Sequence, residues 1–189
     1  MILTMDIGNT NVKYGVFDGD KMIASWRVST KASRTADEYG MVLYDLLRQR
    51  GVNFEDIDAC VMSSVAPALN YTIEHMCNDY IGKSPLIVSC DTDTGITLDY
   101  AQPTQLGTDR IVGAAAAYAI YGGPVIVVDF GSATTFNLVT KDGRYLGGAI
   151  APGIKTATES LVTTAAKLPR IELEKPQNIV GRDTKSCMQ

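Results

Sequence analysis

Residues 1–23, MILTMDIGNTNVKYGVFDGDKMI, and residues 125–147, VIVVDFGSATTFNLVTKDGRYLG, are two copies of one pattern. Each runs an apolar strand into an aspartate, then one large apolar residue, a glycine and a short polar turn. A second strand and a D-G hairpin into a third complete the unit. Asp6 matches Asp129, Gly8 matches Gly131, and Asp18-Gly19 roughly matches Asp142-Gly143. Such an internal duplication decides the fold before any single element does. It also poses a chemical question, because a carboxylate where a strand leaves the core is costly to desolvate unless something pairs with it.

Working outward from the first copy, apolar patterns predict strands over 1–6, 12–18 and 21–29. A helix follows over 36–50, with Thr35 and Glu38 spaced as a capping box and Tyr39, Val42, Leu43, Leu46 and Leu47 on one face. Gly51 ends it. A strand over 57–63, a helix over 67–80 and a strand over 85–89 give the order βββαβαβ. After a polar segment (91–105) and a helix over 109–121, the triplet starts again, and a helix over 154–167 follows it. The second copy therefore gives βββα, then a proline-punctuated segment, then GRDTKSCMQ, which reads as a helix just beginning. The expected architecture is α/β, with half-domains 1–104 and 105–189 facing across a cleft. The second half is expected to be incomplete, as if the chain were truncated at its C-terminus.

With 46% hydrophobic and 20% charged residues in a chain of 189, the composition suits a soluble globular protein of one large or two small domains. A net charge of −4 and the lack of any basic run argue against nucleic acid or an anionic membrane as partner. Cys60, Cys77, Cys90 and Cys187 form no C-x-x-C, and His75 is the sole histidine. Zinc sites and Ser-His or Cys-His pairs thus find little support, and the thiols are expected free and buried or partly buried in a reducing cytosol. Asp6 interrupts the first apolar run, so no signal peptide is read. Ile111–Val128 carries no charge, but Gly122-Gly123-Pro124 divides it into a buried helix and a buried strand, and no membrane span is expected.

Two strand-Asp-x-Gly hairpins facing across a cleft can hold a nucleoside triphosphate. Glycine permits close backbone approach, successive N–H groups form an anion nest, and the carboxylate can hold a hydrated Mg2+. Lys13, two residues past the turn, can set a point charge on the phosphates. A single D-x-G-x-T is an ordinary turn composition, and Asp129 alone could merely cap its own turn. The duplication favours the paired reading. No G-x-x-x-x-G-K-[ST] and no strand-linked G-x-G-x-x-G occurs. In GTDR (107–110), at a loop-to-helix junction, Thr108 or Asp109 can serve the helix N-terminus. Asp109 can equally accept a hydroxyl proton beside an arginine that fixes an anionic substrate, and the two roles are compatible.

DIGNTNVK (6–13), SSVAP (63–67), Tyr100 with GTDR (107–110), DFGSATT (129–135) and GGAIAPG (147–153) occur in order along the whole chain. Together they resemble type III pantothenate kinase, a family with the duplicated actin-like (ribonuclease H-like) fold also used by sugar kinases and Hsp70. The resemblance implies phosphorylation of pantothenate by ATP, the first step towards coenzyme A, in a cytoplasmic homodimer. It implies that Asp6, Ile7, Gly8, Asn9, Thr10, Asn11, Val12 and Lys13 bind the ATP phosphates, with Asp6 towards Mg2+ directly or through water. Ser132, where relatives often carry threonine, would contact ATP. Asp109 would accept the proton of the pantothenate hydroxyl. Tyr100, Gly107, Thr108, Asp109 and Arg110 would line the substrate site, Arg110 pairing with pantothenate's negative charge. Asp129 would hold a monovalent cation, K+ or NH4+, and Thr184 would reach pantothenate across the dimer interface. The resemblance also implies a chain continuing well beyond Gln189. Rival readings are a kinase for another small polyol or sugar, and a non-catalytic nucleotide-binding regulator. Retention of Asp6, Asp109 and Asp129 speaks against the latter.

Overall fold

In the computed structural model, which describes residues 1–189, strand alternation sorts the first copy's side chains between two faces. Along β1 (Ile2–Ile7), Leu3, Met5 and Ile7 are buried, while Thr4 and Asp6 alternate with them on the opposite face. Val12, Tyr14 and Val16 of β2 (Asn11–Asp18) extend the buried set. β3 (Lys21–Ser29) completes the antiparallel meander. β4 (Ala59–Ser64) and β5 (Leu86–Ile87) then add in parallel, giving the order β3-β2-β1-β4-β5.

Two helices cover the buried face. α1 (Ala36–Arg48) starts at the expected capping box, with Thr35 and Glu38 bonded reciprocally, and buries Tyr39, Leu43 and Leu47. α2 (Asn70–Met76) buries Ile73 and Met76. The predicted helix over 67–80 is in fact three pieces. A 3-10 turn (Pro67–Leu69) precedes α2, and a π-turn (Cys77–Ile81) follows it, ending at Gly82 with φ 71°. Eighteen buried residues form this core. Full burial of each aliphatic side chain contributes about 1.5–3 kcal/mol.

The second sheet has the order β6-β9-β8-β7, from β6 (Thr97–Leu98), β7 (Val125–Phe130), β8 (Ala133–Val139) and β9 (Arg144–Pro152). β6 lies inside the polar segment 91–105, where no strand is read from the sequence, and it pairs in parallel with β9. α3 (Thr108–Tyr121) lies against β4, β7 and β8. α4 (Ile154–Thr164) stops three residues before the expected end, and α5 (Thr184–Cys187) is one turn. The arrangement is the duplicated actin-like α/β fold, unequally built. β7 pairs with β8 alone, whereas its counterpart β1 sits between β2 and β4. Ile126, Val128, Phe130, Phe136 and Leu138 stay exposed, and the second core has five buried residues.

Three further expectations need correction. α3 was expected to be buried, but only Ile111 and Ala114 are, and Ile120 and Tyr121 are exposed. The second sheet covers one side of this helix, so its apolar composition exceeds its burial. Residues 85–89 give a strand of two residues only. All four cysteines are free, as expected, yet Cys187 is exposed. No helix is long and apolar enough to cross a membrane.

One side chain fixes the start of α3 to the first sheet. Ser63 Oγ and the Ser64 N–H donate to Thr108 Oγ1 at 3.0 and 3.1 Å, and Thr108 donates to the Ser64 carbonyl at 3.1 Å. This uses the hydroxyl's one donor and both acceptor sites. Thr108→Val keeps the shape and removes all three bonds, leaving part-buried donors unmatched. The urea midpoint should fall by an amount equivalent to about 1–3 kcal/mol. An unchanged midpoint would show that the tie is idle.

Candidate active site

The same alternation that buries Leu3, Met5 and Ile7 turns Asp6 towards the side where Lys13 and Ser63 stand, its register partners on β2 and β4. Lys13 Nζ donates to Asp6 Oδ2 at 2.8 Å. In the second copy the register partner of Asp129 is Thr135, and no cation pairs with Asp129. The turns after the two aspartates close alike. Gly8 N–H donates to the Asn11 carbonyl at 3.0 Å, and Gly131 N–H to the Ala133 carbonyl at 2.9 Å. The second turn is one residue shorter, 131–133 between the paired Phe130 and Thr134 against 8–11 between Ile7 and Val12. Thr10 and Ser132 hydroxyls meet at 2.7 Å, so the two turns touch across the cleft.

Asp109 enters the same space from the first turn of α3. Asp6, Lys13, Asp109, Asp129 and both turns border one cavity of about 220 Å3. Gly107 precedes the helix, and a Cβ there would come within 2.5 Å of Asp109 Oδ1, so the carboxylate occupies space that only glycine leaves. Oδ1 accepts the Arg110 N–H at 2.8 Å, a donor it shares with the Gly107 carbonyl at 3.1 Å in the first turn of the helix. The capping role is thus present alongside the position in the cleft. Partial burial pushes the Asp109 carboxyl above its ordinary range. The Arg110 N–H opposes this, the negative charges of Asp6 and Asp129 add to it, and the Arg110 guanidinium counters it.

Arg110 points towards the second sheet. Its Nε donates to Asn137 Oδ1 at 2.6 Å, and its guanidinium carbon lies 5.9 Å from the Tyr145 ring centre. Tyr145 meets Tyr100 edge-on at 6.0 Å. Asn137 and Tyr145 escaped the reading of the sequence. The available signal was an asparagine alternating with Thr135 and Val139 on the inward face of a strand.

The structure therefore brings together Asp6, Gly8, Asn9, Thr10, Asn11, Lys13, Asp109, Asp129 and Ser132, and sets Tyr100 and Arg110 around Tyr145. It treats others differently. Ile7 and Val12 are wholly buried in the first core, so only their backbone can meet a nucleotide. Thr108 is engaged by β4. Thr184 is exposed on α5 and borders none of the cavities that contain Asp109. No three His, Cys, Asp or Glu side chains converge as a ready metal cage. Magnesium suits such a site, because it is commonly held by one or two carboxylates together with substrate phosphates and water.

A family model described as type III pantothenate kinase matches residues 2–189. The type III pantothenate kinase of Brevibacillus brevis is 50% identical over 189 residues, covering 100% of this chain and 74% of that protein. The one from Agathobacter rectalis is 48% identical, covering 100% and 73%. Among solved structures, a Campylobacter jejuni protein described as a Baf family transcriptional activator superposes with TM-score 0.55 at 19% identity, over 98% of this chain and 71% of that one. The ethanolamine utilization protein EutJ of Carboxydothermus hydrogenoformans gives TM-score 0.50 at 16% identity, over 88% and 57%. At such identities the structures speak for the fold alone.

In the free protein, carbon-detected NMR titration should place the Asp109 midpoint above the ordinary aspartate value of about 3.9. Asp129→Asn removes one like charge and should lower that midpoint. A midpoint unmoved by the substitution would mean that the two carboxylates do not sense each other.

Proposed function

The chain belongs to the type III pantothenate kinase family, and from that premise we propose how its residues phosphorylate pantothenate with ATP. Asp109 accepts the proton of the pantothenate hydroxyl as the oxygen bonds to the γ-phosphorus and the bond from that phosphorus to the β,γ-bridging oxygen breaks, releasing ADP. Phosphoryl transfer goes through a loose transition state, so the base acts largely by holding and orienting the nucleophile. Gly8 to Asn11 and Ser132 wrap the phosphates through backbone N–H groups and hydroxyls. Lys13 supplies a positive charge at their edge.

The observation that carries this reading is the convergence of Asp6, Asp109 and Asp129 on one cavity between two glycine turns. Magnesium, when bound, neutralises charge on the phosphate oxygens, and Asp6 is positioned to hold it directly or through water. Lys13 engages Asp6 Oδ2, which leaves Oδ1 for that purpose. Asp129, without a protein counter-charge, is the candidate holder of a monovalent cation, K+ or NH4+. Arg110 pairs with the pantothenate carboxylate, and Tyr100 packs beside it. Gly107 gives Asp109 its room, and Thr108 anchors the helix that carries it.

The same reading makes the enzyme a cytoplasmic homodimer, in which Thr184 reaches the pantothenate of the partner subunit. The exposed Ile120 and Tyr121 at the end of α3 are apolar surface that such contact would cover. Sedimentation equilibrium should return about twice the chain mass of 20.3 kDa. A monomer at micromolar concentration would contradict the dimer.

Asp109→Asn should lower kcat by about 10²- to 10⁴-fold. The sign for stability is opposite. A carboxyl with a raised folded-state pKa binds protons more tightly when folded, so stability falls as pH rises from the unfolded towards the folded value. At neutral pH the asparagine variant should therefore melt at or above the wild-type temperature. A lower melting temperature with near-normal turnover would make Asp109 a helix-start residue only.

A further inference from the structure

Asn137 is polar, 2% exposed, and lies on β8 facing the cleft. Its Oδ1 accepts two hydrogen bonds, from Arg110 Nε at 2.6 Å and from the Tyr145 hydroxyl at 2.8 Å. Its Nδ2 donates to Thr135 Oγ1 at 3.2 Å. A buried amide retained in a strand needs such partners, and here they come from three elements, α3, β8 and β9. The consequence falls on the guanidinium. With Nε held by Asn137 and the Tyr145 ring alongside, the plane of Arg110 is fixed and its two terminal nitrogens have no protein acceptor. Paired terminal nitrogens suit bidentate recognition of a carboxylate. The cavity beside them, about 240 Å3, is bordered by Asp109, Arg110, Asp129, Thr135 and Asn137, and so joins the arginine to the proposed base.

We propose that Asn137 is a positioning residue that aims Arg110 at the carboxylate of the acceptor substrate and thereby makes the enzyme selective for the acid over neutral analogues. This rests on the reading of Arg110 as the carboxylate partner. Gly148, the register partner of Asn137 on β9, fits the same design, because a Cβ there would enter the Phe136 backbone. β9 thereby closes on the strand that carries the amide, and Tyr145 is brought to its Oδ1. Without that acceptor, the Arg110 side chain would lose its Nε tether and swing.

The test compares kcat and KM for pantothenate and for its neutral primary amide. In Asn137→Asp the two acceptor positions persist, but a negative charge now satisfies the guanidinium. Asn137→Leu removes the acceptor at similar volume. Asn137→Leu should raise the pantothenate KM by about 10- to 100-fold, the range expected for losing a hydrogen bond to a charged group. Asn137→Asp keeps an acceptor for Nε and should raise it only through the charge that competes with the substrate carboxylate. The KM for ATP should hardly move, and preference for acid over amide should fall towards that of Arg110→Met. The aspartate variant keeps the network's partners, so its melting temperature separates mispositioning from misfolding if the leucine variant is unstable. Loss of preference in Arg110→Met with full preference in Asn137→Leu, or in Asn137→Ala should the leucine variant not fold, overturns the proposal for Asn137. Full preference in Arg110→Met overturns the carboxylate role of Arg110, and the proposal with it.

Discussion

Asp6, Asp109 and Asp129 border one small cavity, and Lys13 neutralises only the first of them at 2.8 Å. Burial raises the proton affinity of Asp109 most, and repulsion from the like charges of Asp6 and Asp129 adds to it. The rest of the architecture holds these groups in place against that repulsion. β1 and β7 each deliver an aspartate at the same step of a repeated meander, and α3 delivers the third from a helix start pinned to β4 by Thr108.

The two halves divide the labour unequally. The first sheet has five strands, helices on its buried face and an 18-residue core. The second has four strands, an unpaired β7 edge and apolar side chains exposed along its outer face. The chain spans 73–74% of the length of the curated relatives quoted above. The turns contact each other through Thr10 and Ser132, and the Arg110–Asn137–Tyr145 group joins α3 to β8 and β9.

Much of this was legible in the amino-acid order because it rests on short periods. Period-two alternation with an aspartate before a glycine turn placed both meanders, and the Thr35–Glu38 spacing placed the start of α1. Asp6 and Asp129 followed from the duplication, and Asp109 from its place where the GTDR loop enters a helix. What escaped depends on partners far away in the chain. β6 is two residues long and exists because β9 accepts it in parallel, so no local pattern announces it. The π-turn after α2 is a departure from helical period that sequence spacing does not mark. Thr108 looked like a helix-start or substrate residue, yet its hydroxyl is taken by Ser63 and Ser64, 44 or 45 positions earlier. Asn137 carries no local mark of its burial in the strand ATTFNLV, although a buried polar group is the more informative kind.

If this cleft moves a phosphoryl group from ATP to pantothenate, the release of ADP must depend on the acceptor. The most direct measurement is ADP release by the 189-residue chain with Mg-ATP and potassium or ammonium, with and without pantothenate. The account predicts ADP release that depends on pantothenate and saturates with it, accompanied by an equal amount of phosphorylated product. ADP release at the same rate whether or not pantothenate is present would contradict it.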